Sequence, residues 1–394
     1  MRATVVTGEW SPRAGARLTD EERAGHWALD ATTAWRHPRW QIGERETPQL
    51  RGPTDVLVKV RAVGICGSDV HLFETDADGY VLLPYRVRLP VVPGHEIAGE
   101  VVEVGRDVRD VGPGDAVAVQ TLHHCGRCAA CRAGLPSHCS DAEDSGFSID
   151  GGMAEYVLSR ESNVRSLDPL RDRYDESDLY AIGALCEPAS VAYVGMFLRA
   201  GGFLPGGTVA VHGCGPIGLA AVALARAAGA SRVLAFDTEI ARCKLAEQVG
   251  ADTGHHLGTL RDAGDAVADV ILQSTRGAGV DLTVEAAGAA ATVLPDVERS
   301  IAVGGKVVLL GSESGAAPLQ TMAYMLRGAS LHGSIGNIGG LDPVIALHAA
   351  GRIDLRPIVS ASYDLDDGVE AIRRAALRQD AKILVLPNGG ARPA

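Results

Sequence analysis

Thr208-Val209-Ala210-Val211-His212-Gly213-Cys214-Gly215-Pro216-Ile217-Gly218 is the stretch that decides the fold. A β-branched, apolar run ends in Gly-x-Gly-x-x-Gly, and an apolar segment with helical character, Ile217 to Ala228, follows it. Between a strand and a helix the pattern reads as a dinucleotide loop. Gly213 makes the turn, Gly215 lets backbone approach a pyrophosphate, and Gly218 allows helix and strand to pack closely. Pro216 suits the helix start, where N–H groups have no helical partner, and Ile217 continues the helix. Roughly twenty residues beyond the loop, at the end of the next expected strand (Arg232 to Phe236), stands Asp237. A carboxylate there accepts from ribose hydroxyls and repels a 2′-phosphate, which predicts NAD in preference to NADP. Arg242 would favour the phosphate; its alternative role is a solvated helix residue.

Outward from the loop, Asp281–Glu285, Lys306–Leu310 and Ser330–His332 read as further strands, so residues 188–335 are expected to form a doubly wound parallel sheet. Before them the pattern is different. Val56–Val63 and Glu100–Val104 are β-branched runs punctuated by Gly64, Gly105, Gly112 and Gly114, which predicts a β-rich domain over residues 1–187. Residues 336–394 read as two helices, Pro343–Ala350 and Gly368–Ala376, and a terminal strand, Lys382–Leu386, placed back on the first domain. The first fifty residues are an extension. Thr19 and Glu22 have capping-box spacing, which predicts a helix running to about Trp35 and stopped by Pro38. All four tryptophans, Trp10, Trp27, Trp35 and Trp40, fall in this extension and are expected to be packing anchors.

Composition excludes several classes. A net charge of -12 lacks the basic footprint that nucleic-acid binding needs. No run of about eighteen apolar residues offers a membrane span. The opening Met1-Arg2-Ala3-Thr4-Val5 has no charged-then-apolar leader, so a cytoplasmic location with reduced thiols is expected.

Cys125, Cys128, Cys131 and Cys139 lie in one short lobe, residues 123–140, with C-x2-C-x2-C-x7-C spacing. Four thiolates at tetrahedral reach predict a structural zinc; reduced thiols argue against two disulfides. A second, differently composed donor set comprises Cys66, in Gly64-Ile65-Cys66-Gly67-Ser68-Asp69-Val70-His71, and the pair His95-Glu96 after Gly94. A catalytic zinc takes about three protein ligands and keeps one position open, so thiolate, imidazole and carboxylate from separate segments suit it. Glu96 and Glu187 are alternative third ligands. In Cys186-Glu187-Pro188, Pro188 is expected at the first helical position, with Glu187 as the cap residue.

These elements, in this order over roughly residues 50–390, resemble the zinc-dependent medium-chain alcohol dehydrogenases, and within that family are most similar to sorbitol, threonine and related polyol dehydrogenases. The resemblance implies a GroES-like β-rich catalytic domain split around a Rossmann domain, assembled as a dimer or tetramer. It also implies Cys66, His95 and an acidic residue on the reactive zinc, the four-cysteine lobe on the structural one, and Ser68 with His71 in a proton relay. Simple alcohol dehydrogenases of the family use cysteine as the third ligand, which makes Cys186 the rival of Glu187. The expected reaction is NAD-linked, reversible oxidation of a secondary alcohol of a polyol, sugar or cyclitol to the ketone. Polar residues between the ligands, Glu74, Asp76, Asp78, Tyr80, Arg86 and Arg88, suit a substrate with many hydroxyls. An amino alcohol of the threonine type is the alternative within the class, and a redox-inert NAD-binding protein the alternative outside it.

Overall fold

In the computed structural model, which describes residues 1–312 and 315–389, the glycine loop leaves the third strand of a six-stranded sheet. The spatial order is Thr253–His256, Arg232–Asp237, Thr208–His212, Val280–Glu285, Ile301–Leu309, Ser330–Gly333. Every neighbouring pair is parallel. Strand order reverses at Thr208–His212, so Gly213 emerges at the switch point where a doubly wound sheet binds its ligand. The inner strands are buried almost end to end, which is why they read as continuous apolar runs rather than as alternating ones.

The described residues divide into two units, Met1–Glu187 together with residues 359–389, and Pro188–Ile358. The boundary at Glu187 falls inside a helix, Glu176–Tyr193. The return to the first unit, expected at residue 336, comes at Val359. Helix Leu341–Ala349 stays with the parallel sheet because Leu341, Val344 and Ile345 are buried there and Gly340 lies directly against Ser190. Its apolar face is satisfied before the chain leaves.

The first unit is built on a seven-stranded sheet. Its path runs Val359–Asp364, Lys382–Leu386, Asp55–Gly64, Glu96–Val104, Ala116–Val119, Val164–Ser166, with Tyr156–Arg160 also paired to Asp55–Gly64. Two registers matter for the site. Gly64 pairs with both Glu96 and Leu384, so one strand end collects segments from three distant parts of the chain. Val56, Val58, Val60, Ile97, Val101, Ile383 and Val385 close the core beneath them.

The extension forms an antiparallel pair, Arg2–Trp10 with Trp35–Glu44. The expected helix is correspondingly short. It spans Asp20–Gly25, with the Thr19–Glu22 capping box in place, and ends at His26 in the left-handed conformation (φ 49°). Pro38 sits within the following strand rather than terminating a helix. Burial of Trp35 overrides local helical preference: its ring packs with Val6, Leu72, Val81 and Leu83, and its indole N–H donates to the Val87 carbonyl at 3.1 Å. Trp10 meets Trp35 edge-on with centroids 5.1 Å apart, and Trp40 meets Phe73 in the same way at 6.0 Å. Among the described residues one helical stretch, Glu176–Arg199, is long and apolar enough to cross a membrane, but 78% of its apolar window is buried within the protein.

Because the Trp35 ring is buried where the extension meets the body, Trp35→Ala should lower unfolding stability by about 3–5 kcal/mol in urea titration. A change within error would mean that the Trp35 ring contributes little to holding the extension on the core.

Candidate active site

Strand pairing assembles the candidate reaction centre. The chain leaves strand Asp55–Gly64 and reaches Cys66 immediately before helix Gly67–Phe73, while His95-Glu96 open the partner strand. Asp69 accepts from the Cys66 N–H at 3.0 Å, which fixes Cys66 at the helix entry. Donor atoms of Cys66, His95 and Glu96 consequently lie within 4.8 Å of one another. Ser68 Oγ is 3.4 Å from His95 Nε2, and the Asp69 carboxylate is 3.8 Å from His95 Nδ1. Burial opposes charge on His95, yet Asp69, Cys66 and Glu187 outweigh it and hold the imidazole well above its ordinary 6.5. Burial raises Asp69 itself despite the neighbouring imidazole. This pocket of acidic groups around one imidazole favours a cation, and its soft and hard donors fit zinc with a position left open.

Lys382 is the residue that sequence reasoning missed. Its Nζ lies 2.5 Å from each oxygen of Glu96 and donates to the Ile65 carbonyl at 2.9 Å, with both side chains essentially fully buried. The signal was available: one of only four lysines stands in the apolar run Ala381-Lys382-Ile383-Leu384-Val385, where an unpaired ammonium would be prohibitive. Gly64 makes room for the pair, since a Cβ there would sit 1.9 Å from Glu96 Oε2.

Glu187 is placed differently from the expectation. It lies inside helix Glu176–Tyr193 rather than at a helix cap, and Pro188 is an interior residue. The apolar run before it, Leu179 to Leu185, is buried and carries the helix through, although Pro188 has no N–H for the Ala184 carbonyl. Glu187 is buried and acts electrostatically on His95, but it falls outside the set within 4.8 Å. Burial pushes its carboxyl up to about 8, with His95 and Lys382 pulling against Glu96 and Asp144. Cys186 also lies outside that set, and burial pushes its thiol up to about 12, so it remains protonated. His71 stands one helical turn after Ser68 and is held below 6.5 by burial and then by the Arg378 guanidinium.

The polar residues expected near the substrate are engaged with partners in the first unit, Asp76 and Tyr80 with the extension. Asp76 pairs with Arg13, Tyr80 Oη donates to Ser11, Glu74 pairs with Arg378, and Arg86 donates to the Ala142 carbonyl.

All eight cysteines are free, which removes the disulfide reading. The donor atoms of Cys125, Cys128, Cys131 and Cys139 lie within 4.8 Å of one another. Backbone N–H groups of Cys125 and Cys128 each donate to a neighbouring sulfur at 3.3 Å. So close a set cannot ionise fully without a cation: the Cys131 N–H helps draw Cys128 down to about 6, whereas lost solvation and the adjoining thiols push Cys131 up to about 12. These donors fit a closed zinc site.

The glycine loop fits a dinucleotide. Gly213 has φ 88°, and a Cβ on Gly218 would lie 1.8 Å from the Gly213 carbonyl oxygen, whereas one on Gly215 would meet nothing within 4 Å. That open face is the approach a pyrophosphate requires. Pro216 begins helix Pro216–Ala227, followed by Ile217. Asp237 ends its strand with one oxygen accepting from Cys214 N at 2.6 Å and the other from Glu239 N at 2.8 Å. Each oxygen retains a lone pair for a ribose hydroxyl. Arg242 lies on helix Ile240–Val249.

Removing one partner of a fully buried ion pair strands the other, so Lys382→Met should cost about 3–5 kcal/mol in denaturant titration, with much of the loss recovered in the Lys382→Met/Glu96→Gln double variant. Additive losses would deny the coupling.

Two family models cover most of the chain: an alcohol dehydrogenase GroES-like domain matches residues 52–169 and a zinc-binding dehydrogenase domain residues 216–345. The scyllo-inosose 3-dehydrogenase of Thermotoga maritima is 35% identical over 386 residues, covering 95% of this chain and 96% of the relative. An L-threonine 3-dehydrogenase of Caldanaerobacter subterraneus is 31% identical, covering 88% and 95%. A solved Thermotoga maritima structure, described provisionally as an alcohol dehydrogenase, superposes with a TM-score of 0.93 at 34% identity, over 98% of this chain and 100% of that one. With its GroES-like and Rossmann parts, the chain belongs to the zinc-binding medium-chain alcohol dehydrogenases, oxidoreductases acting on CH–OH donors.

Proposed function

We propose that this enzyme oxidises a secondary alcohol of a neutral polyol, sugar or cyclitol to the ketone, with NAD as hydride acceptor and two zinc ions per chain. The observation that carries the reading is the donor cluster of half-exposed Cys66 with buried His95 and Glu96, and buried Glu187 acting on the His95 imidazole. The relative named for scyllo-inosose supports a cyclitol or similar polyol as substrate class.

In this reading Cys66, His95 and Glu187 hold the reactive zinc, and Cys125, Cys128, Cys131 and Cys139 hold the structural one. Glu96 stays with Lys382, which occupies both its oxygens. When bound, zinc supplies Lewis acidity that lowers the pKa of a coordinated hydroxyl, and the nicotinamide supplies the hydride acceptor. Ser68 takes the proton released from the alcohol at its Oγ. His71, on the same face one turn later, receives it and passes it to solvent, its depressed pKa keeping the ring neutral and able to accept at physiological pH. Gly213, Gly215 and Gly218 let the backbone meet the pyrophosphate, and Asp237 orients the ribose. Arg242, half-buried on its helix, is given no cofactor contact in this reading.

The relative named for threonine favours a second reading, in which the substrate is an amino alcohol. Initial rates of NAD reduction with myo-inositol, sorbitol and L-threonine, repeated with NADP, decide between them. The expected result is turnover of the polyols, NAD preferred, and that preference narrowed or inverted in Asp237→Ser. Activity confined to L-threonine would establish the second reading; a wild-type preference for NADP would move the cofactor assignment to Arg242.

A further inference from the structure

One acidic group near the reaction centre has no part in this scheme. Asp144 ends the two-residue strand Glu143–Asp144, which pairs with Leu122–His123. It also opens a tight turn: its carbonyl accepts from the Phe147 and Ile149 N–H groups at 3.2 Å each, and its own N–H donates to Ser148 Oγ at 2.7 Å. The flanking backbone is held as well, with Arg86 donating to the Ala142 carbonyl at 2.7 Å and the Ser145 N–H donating to the Thr121 carbonyl at 3.1 Å. The same turn lays the Phe147 ring against His95, centroids 4.9 Å apart. The backbone at Asp144 is therefore fixed with respect to a residue of the donor cluster.

Its carboxylate is treated differently. Among the described residues it takes part in no hydrogen bond or ion pair, although the backbone around it is fully engaged and the side chain is only partly exposed. The groups that act on it across space are His95 and Asp69, and it acts in turn on Glu187, all members or neighbours of the reaction centre. Lost solvation raises it to about 6. A partly exposed acceptor beside the donor cluster, with its backbone pinned and its oxygens free of protein partners, is open to hydrogen bonds from a ligand's hydroxyls.

We propose that Asp144 orients the substrate, its carboxylate accepting hydrogen bonds from hydroxyls that flank the carbinol being oxidised. The inference rests on the polyol reading above and narrows it: the substrate carries at least one hydroxyl adjacent to the reacting one. A carboxylate acceptor rewards neutral hydroxyl donors and rejects substrates with a carboxylate or phosphate at that position. Asp144 touches neither metal nor cofactor in this scheme, so its loss should leave zinc content unchanged.

The test compares wild type with Asp144→Asn and Asp144→Ser, using cyclohexane-1,2-diol and myo-inositol against cyclohexanol, which has the same ring without the flanking hydroxyl. Binding of myo-inositol to the zinc-loaded enzyme is measured by calorimetry alongside. Losing a charged acceptor should raise KM and the calorimetric Kd for the diol and the cyclitol by about 10–100-fold. The value of kcat, the zinc content and kcat/KM for cyclohexanol should stay within about twofold. Two variants are used so that a folding defect in one leaves the comparison readable in the other. Equal losses on cyclohexanol and the diol, or unchanged KM and Kd for both hydroxylated compounds, would overturn the role of Asp144 while leaving the polyol reading intact. A wild type that oxidises L-threonine and neither hydroxylated ring compound would instead defeat the polyol reading itself.

Discussion

The ion pair between Lys382 and Glu96 is the interaction on which the first unit depends. The chain leaves that unit after Glu187 and comes back at Val359, and the returning strand Lys382–Leu386 must find its place beside Asp55–Gly64. A slip of one residue would turn Lys382 to the opposite face of the sheet and leave Glu96 buried without a counter-charge. The pair thus specifies the register of the tail. It also fixes Glu96 and, through the Nζ contact to the Ile65 carbonyl, the backbone next to Cys66. Seating of the tail and geometry of the site are therefore one event.

Charge distribution gives each acidic group in the region a separate task. Glu96 is committed to Lys382 by two short contacts, and Asp69 to the Cys66 N–H and the neighbourhood of His95. Burial raises the Glu187 carboxyl to about 8, with Glu96 and Asp144 adding to the rise and His95 and Lys382 opposing it. Of these carboxylates it gains most from a cation shared with Cys66 and His95. Cys186, the rival on the same helix, is pushed up to about 12 by burial and stays a thiol. Adjacent residues on a helix diverge by about 100°, so one of the two faces the cluster at the expense of the other.

Much of this was legible in the sequence because it is local. The glycine loop, the spacing of the four cysteines and the Thr19–Glu22 capping box are short-range devices whose geometry follows from neighbouring residues, and the backbone turn, the sulfur cluster and the cap take the expected local form. The misreadings share an opposite cause. The extension's helix was expected to reach Trp35, but burial of Trp35 against Leu72 and Val81 makes that segment a strand. Pro188 signals a helix start locally, yet the buried run from Leu179 carries the helix through it. The tail was expected to return at residue 336, before the apolar face of Leu341–Ala349 had been accounted for. Lys382 and Asp144 acquire their meaning from residues far away in the chain, so spacing alone could not reveal them.

The central claim is that this fold holds two zinc ions in different hands, one closed and one reactive. Anomalous diffraction at the zinc edge, from crystals of the protein purified without chelator, tests it most directly. The account predicts two peaks per chain. One should be ringed by Cys125, Cys128, Cys131 and Cys139 with Zn–S distances of about 2.3 Å, and the other bound by Cys66, His95 and Glu187 with Zn–N and Zn–O distances of about 2.0–2.2 Å. A single peak, or a second peak ligated by Cys186 in place of Glu187, would contradict it.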